Sequence, residues 1–238
     1  MKIALLSDIH GNAIALKSVI KDIKSREIEQ ICVLGDICFR GPEPQRSLDL
    51  VRSLDANVIK GNADEWIIRG IKDGEVPETV FNCMAEEREW TVNQLDEESI
   101  KYLCGLSNEI RMEVGSLKIL MFHATPDSLF EVILPDASDT LMLEKMMKDD
   151  SNIYIYSHIH KPFIRFINGK CVMNTGSVGM PFDGRNESSY IILEINQDSF
   201  HSTIVRVKYD VEHAIQQYEK SNYPNKEQMI SILKTGRV

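Results

Sequence analysis

The stretch Met1-Lys2-Ile3-Ala4-Leu5-Leu6-Ser7-Asp8-Ile9-His10-Gly11-Asn12 decides how the rest of the chain is read. Ile3 to Leu6 is a short apolar run, bounded by turn residues and followed by a helical pattern, which reads as a buried strand. At its C-terminal end Asp8 and His10 stand two residues apart, where a strand projects both to the same side. A carboxylate and an imidazole there suit a hard or borderline divalent cation. The same residues also fit a strand-ending Asp that caps the next helix. Which reading holds depends on whether later segments bring more ligands to the same sheet edge.

Leu16, Val19, Ile20 and Ile23 are spaced as the buried face of a helix over Ala13 to Lys24. A second apolar run, Ile31-Cys32-Val33-Leu34, then ends in Gly35-Asp36. Strand, helix and strand form a parallel βαβ unit, which places Asp8, His10 and Asp36 at the carboxyl ends of neighbouring strands, where open α/β sheets bind ligands. Gly41-Pro42-Glu43-Pro44 opens another helix, and a short strand over Asn57 to Lys60 runs into Gly61-Asn62-Ala63-Asp64. From about 65 to 106 the alternation lapses into helices, one of them expected over Glu86 to Leu106. These read either as a helical insertion beside the site or as a helix pair covering one sheet face.

Beyond them, strands at Glu109 to Val114 and Lys118 to Phe122 lead to His123. A helix over Thr140 to Met147 and a strand over Asn152 to Tyr156 lead to Ser157-His158-Ile159-His160. A hairpin turning at Asn168-Gly169, two longer strands and two C-terminal helices complete the pattern. Asp8, His10, Asp36, Asn62, His123, His158 and His160 each follow an apolar run, and they include four of the six histidines. Seven nitrogen and oxygen donors exceed what one ion needs. Without thiolates, they point to two divalent ions, manganese first, with iron or zinc as alternatives, and Asp36 is the natural bridge. His201 and His213 are read as structural.

Composition narrows the classes further. The 238 residues suit a single domain, are 43% hydrophobic and 26% charged, and carry a net charge of -9. That charge argues against a nucleic-acid or acidic-membrane surface, so a phosphorylated partner would be drawn in by local charge, most plausibly bound metal. Five scattered cysteines without C-x-x-C spacing fit a reducing cytoplasm. No leader pattern or membrane-length apolar segment is seen. A soluble cytoplasmic protein is expected, with a homo-oligomer left open.

The ordered blocks Asp8-Ile9-His10, Gly35-Asp36, Gly61-Asn62, His123 and Ser157-His158-Ile159-His160 resemble the D-x-H, G-D, G-N, H, G-H-x-H pattern of the calcineurin-like metallophosphoesterase superfamily, over about the first 180 residues. The resemblance implies a four-layer α/β/β/α sandwich. It also implies a binuclear site, with Asp8, His10 and His160 on one metal, Asn62, His123 and His158 on the other, and Asp36 bridging. A hydroxide between the ions would attack the phosphorus of a nucleotide or other small phosphorylated substrate, a phosphodiester or a phosphomonoester. Gly35 to Gly41 is similar to the G-D-x-x-D-R-G block of the phosphoprotein phosphatases, which implies that Arg40 contacts phosphate.

Two positions depart from the family. Ala63 replaces the histidine that many relatives carry after G-N, leaving its partner acid, Asp64, among the catalytic residues with Asp36 and Arg40, and Phe39 replaces the aspartate before Arg40. Both weaken the alternative of a protein serine/threonine phosphatase. The full ligand set weighs against a third alternative, a non-catalytic scaffold such as the retromer subunit that shares the fold. Cys38 reads as a buried structural thiol, and Asn174-Thr175-Gly176-Ser177 as a family turn near the site. Arg88 and Arg185 are further cations within reach of a substrate.

Overall fold

Alternation along the first strand sends Ala4 and Leu6 to one side and Ile3 and Leu5 to the other, and all four are fully buried. Both sides must therefore be covered. In the computed structural model, which describes residues 1–238, β1 (Lys2–Leu6), β2 (Gln30–Val33) and β3 (Ala56–Val58) pair in parallel, joined by α1 (Ala13–Lys24) and α2 (Pro44–Arg52). Then follow α3 (Asn62–Arg69), α4 (Glu78–Val92) and α5 (Glu97–Cys104). A second sheet contains β4 (Glu109–Val114), β5 (Leu117–Phe122), β6 (Ile153–Tyr156), β7 (Phe163–Ile167) and β8 (Lys170–Asn174), with α6 (Asp139–Met146) between β5 and β6. The chain returns to the first sheet as β9 (Ser188–Asn196) and β10 (Ser199–Val207), and ends in α7 (Val211–Lys220) and α8 (Lys226–Thr235).

The two five-stranded sheets run β10-β9-β1-β2-β3 and β4-β5-β6-β8-β7. Between them Ile3 and Leu5 meet Ile119, Met121, Ile153 and Ile155 in an apolar layer. On the far side of the first sheet Ala4 and Leu6 pack with Leu16 and Val19 of α1 and Leu48 and Val51 of α2. On the far side of the second, Leu120, Phe122, Tyr154 and Tyr156 pack with Met142 and Met146 of α6. The result is the four-layer α/β/β/α order. Each fully buried Leu, Ile or Met contributes roughly 1.5–3 kcal/mol of transfer free energy, and the largest cluster, of 23 buried residues, is the one between the first sheet and its helices.

The alternative of Asp8 as a cap fails, since the cap of α1 is Asn12, whose side chain accepts from the Ala15 backbone N–H. One expectation is corrected. The single helix over Glu86 to Leu106 is two helices, α4 beginning after Pro77 and α5 restarting where Asp96 accepts from the Ser99 backbone N–H. Trp66, Ile67, Met84 and Leu103 from this region join the same cluster as α1 and α2, so the helices cover the outer face of the first sheet. The β7–β8 hairpin turns through Asn168 and Gly169, both at positive φ, as a two-residue primed turn requires. No helix is long and apolar enough to cross a membrane.

Candidate metal centre

Parallel strands deliver their C-terminal loops to one edge, and here two sheets share it. Asp8 and His10 follow β1, Asp36 follows β2, Asn62 opens α3 just after β3, His123 follows β5, and His158 and His160 follow β6. The loops are held in conformations that ordinary residues avoid. Asp8, His10, Asp36, Arg40, His158 and His160 all have φ between 47 and 70°, and they make up six of the ten non-glycine residues at positive φ. Such backbone costs about 1–3 kcal/mol each and persists only where the surroundings over-determine it. The surroundings here are close: a Cβ on Gly35 would lie 2.3 Å from the Gly61 backbone nitrogen, and one on Gly61 would lie 2.0 Å from Asp36 Oδ1.

The structure gathers all seven predicted donors. They form two groups sharing Asp36: Asp8, His10, Asp36 and His160, and Asp36, His123 and His158, with ligand atoms within 4.8 Å of one another in each. Asn62 Oδ1 lies 2.8 Å from both His123 Nε2 and His158 Nδ1, which attaches it to the second group. His10 Nδ1 and His160 Nδ1 donate to the carbonyls of Phe39 and Met180 at 2.8 and 2.5 Å, a tautomer assigned from those partners. Their Nε2 lone pairs therefore face each other, 3.1 Å apart. His160 Nε2 also stands 3.1 Å from Asp8 Oδ1, a buried oxygen that accepts no hydrogen bond. Lone pairs and a carboxylate oxygen converging without a proton repel one another, and a cation between them removes the repulsion. The donor set fits divalent metal.

Electrostatics follow from burial. Desolvation, and then the neighbouring His160, push His10 down to about 4, so the imidazole is neutral. Desolvation and His123 push His158 to about 4 as well. Burial would lower His123 too, but Asp36, 3.5 Å away, outweighs it and holds this imidazole up at about 9. Asp36 is held far below the usual carboxylate range: desolvation opposes this, and His123, His10 and His158 overcome it.

Several supporting groups fix these donors. Ser7 Oγ donates to Asp8 Oδ2 at 2.6 Å, and the Ala63 backbone N–H donates to Asp36 Oδ1 at 2.8 Å. Ser177 Oγ donates to the Asp8 carbonyl, and Asn174 Nδ2 to that of Ser157, so the Asn174–Ser177 turn braces both loops. Phe182 stacks on His160 with centroids 4.2 Å apart. Cys38 is buried, and burial pushes its thiol well up, as a structural cysteine requires.

Asp64, read from sequence among the catalytic groups, sits behind the centre. It is fully buried, and its two oxygens accept from the backbone N–H groups of Asp36, Ile37 and Gly61 at 2.7–3.0 Å. Its carboxyl rises to about 7, from burial first and the Asp36 charge second, against the pull of those three donors. It positions the Asp36 turn. Arg40 lines the same small cavity, of about 150 Å³, as His10, Asp36, Asn62, His158 and His160. Its Nε donates to Glu87 at 3.1 Å, and Tyr218 donates to its carbonyl. Arg88 instead donates to the Trp66 and Ile67 carbonyls at the end of α3, and Arg185 pairs with Glu187 on the surface. His201 in β10 and His213 in α7 are exposed and belong to neither donor group.

Sequence reading missed Glu87. This fully buried residue of α4 also accepts from Asn225 and Cys83. The one available signal is that Met84, Glu87 and Thr91, all buried, share a helix face.

The profile of the calcineurin-like phosphoesterase superfamily domain matches residues 1–198. The chain belongs to this superfamily. Among relatives of the calcineurin-like phosphoesterases, the uncharacterized protein MJ0912 of Methanocaldococcus jannaschii is 31% identical over 240 residues, covering 93% of each chain. A metallophosphoesterase from Sphaerobacter thermophilus superposes with a TM-score of 0.80 at 26% identity, over 99% of each chain. The hypothetical protein PH1004 from Pyrococcus horikoshii OT3 superposes with a TM-score of 0.84 at 21% identity, over 100% of this chain and 99% of that one. The superfamily is metal-dependent, and its members are phosphoesterases.

Proposed function

We propose that the cluster holds two divalent ions, manganese first, and that the protein hydrolyses a phosphodiester or phosphomonoester of a small organic molecule, such as a nucleotide. The observation that carries this is the pair of donor groups sharing Asp36, with the His10 and His160 lone pairs aimed at an unpartnered Asp8 oxygen. Asp8, His10 and His160 would hold one ion, Asn62, His123 and His158 the other, and Asp36 both. When bound, the ions supply Lewis acidity toward the phosphoryl oxygens and a water nucleophile of lowered pKa. The chain's residues do the rest. Arg40, fixed by Glu87 and Tyr218, offers its guanidinium to a phosphoryl oxygen within the shared cavity. Phe39, Trp66 and Met84 line that cavity and exclude water, which strengthens each charge interaction inside it. With Ala63 where many relatives carry histidine, no side chain beside Asn62 donates a proton to the departing oxygen, which favours esters with good leaving groups.

The test is hydrolysis of an activated phosphodiester beside its monoester, with chelator-stripped protein reconstituted separately with manganese, iron(II), zinc and magnesium. Turnover restored by metal supports the reading, and the ratio of the two esters gives the substrate class. No turnover with any ion would sink it.

A further inference from the structure

His158 and Phe182 line the small cavity over the cluster and also a second, larger cleft of about 780 Å³ beside it. One wall of the cleft carries Val132 and Leu134, which are 59% and 42% exposed although the chain buries most of its large apolar side chains. Lys161 and Arg237 stand in the same lining, and neither enters an ion pair. Asp183, the acidic side chain of the lining, is already paired with Arg206, which leaves the α-carboxylate of Val238 as the one anion there against the two cations. Two unpaired cations next to exposed apolar side chains, in a chain of net charge -9, form a local field that favours an anion with an apolar body.

We propose that this cleft binds the non-leaving arm of the substrate, and that the arm is apolar near the phosphorus and ends in a second anionic group, a carboxylate or a further phosphate, held by Lys161 and Arg237. The proposal rests on reading the cluster as a phosphoesterase centre. The substrate class is then a doubly headed organic phosphate. In the hydrolysis itself water's oxygen forms a P–O bond and gives a proton to solvent, while the P–O bond to the leaving group breaks and that group departs with the bonding pair as an aryloxide or alkoxide, leaving the bound arm as its phosphomonoester.

Two diesters that differ only in the distal anion test it: 4-nitrophenyl phenyl phosphate and 4-nitrophenyl 4-carboxyphenyl phosphate, with manganese-reconstituted protein. The carboxylated ester is expected to have a kcat/KM about tenfold higher, the scale of two partly exposed charge contacts. In the Lys161→Ala, Arg237→Ala double variant that ratio falls below about twofold, whereas Lys208→Ala, outside the cleft, keeps it. A ratio near one in the unmodified protein, or a tenfold ratio kept by the double variant, overturns the proposal. Calorimetric binding of benzylphosphonate and 4-carboxybenzylphosphonate reads the cleft without turnover. If neither diester is hydrolysed, tighter binding of the carboxylated phosphonate that the double variant loses supports the cleft while the hydrolytic reading fails. Equal binding of the two phosphonates overturns the cleft.

Discussion

Around Asp36, the donor side chains sit close behind strand ends, and most are oriented by a near neighbour or a backbone group, as Ser7 orients Asp8 and the Phe39 carbonyl orients His10. Around Arg40 the support comes from far along the chain, with Glu87 of α4, Tyr218 of α7 and Asn225 before α8 all meeting there. The donor cluster is thus a property of the sheet edge, and the rim is a property of how helices dock on it. A fold can keep the first fixed while the second changes, which separates the chemistry from the choice of substrate.

The sharpest way to break this comparison is at the shared donor. Asp36→Asn is expected to lower turnover on the order of 10³-fold, because it removes charge from both donor groups, while the metal-free protein stays folded with a lower melting temperature, since buried His123 loses its partner. Retained turnover would show that the two groups do not act as one centre. Next in size is Asp64→Ala, which strips acceptors from three buried backbone N–H groups. It should cost about 3 kcal/mol in urea unfolding, and an unchanged midpoint would put Asp64 in the chemistry instead of the scaffold.

The rim should respond more mildly. Glu87→Ala is expected to raise KM about tenfold, the usual effect of losing a residue that orients a functional one. Placed on an Arg40→Ala background it should add almost nothing, and additive losses would show that Glu87 acts apart from Arg40. The smallest effect concerns pH. His123 is held at about 9, above its ordinary 6.5, so its contribution to metal-free stability is complete below 6.5 and is lost as pH rises through about 9. Metal needs this imidazole deprotonated and binds more tightly over the same range. The melting-temperature increment from a fixed manganese concentration should therefore grow from pH 6.5 toward about 9, and a flat or shrinking increment would detach His123 from the centre.

The same contrast explains what could be read from the chain. The gathering of the seven donors was legible because strand periodicity, a turn and a polar residue are local signals, repeated at one sheet edge, whereas the four-layer order came from the resemblance to the superfamily and from no local signal. The surroundings of Asp64 were not legible, because they depend on the β2 and β3 loops meeting backbone to backbone, which no spacing within Gly61 to Asp64 reveals. Glu87 stayed hidden in the run Glu86-Glu87-Arg88-Glu89, where charge masks the buried face and only docking of α4 selects one carboxylate. Lys161 and Arg237 meet across a cleft for the same reason: tertiary packing joins them, and no motif does.

Anomalous diffraction from crystals of manganese-reconstituted protein tests the central claim most directly. Two peaks roughly 3.5–4 Å apart, one beside Asp8, His10 and His160 and the other beside Asn62, His123 and His158, with Asp36 between them, are the expected result. A single peak, or none at this edge, would contradict it.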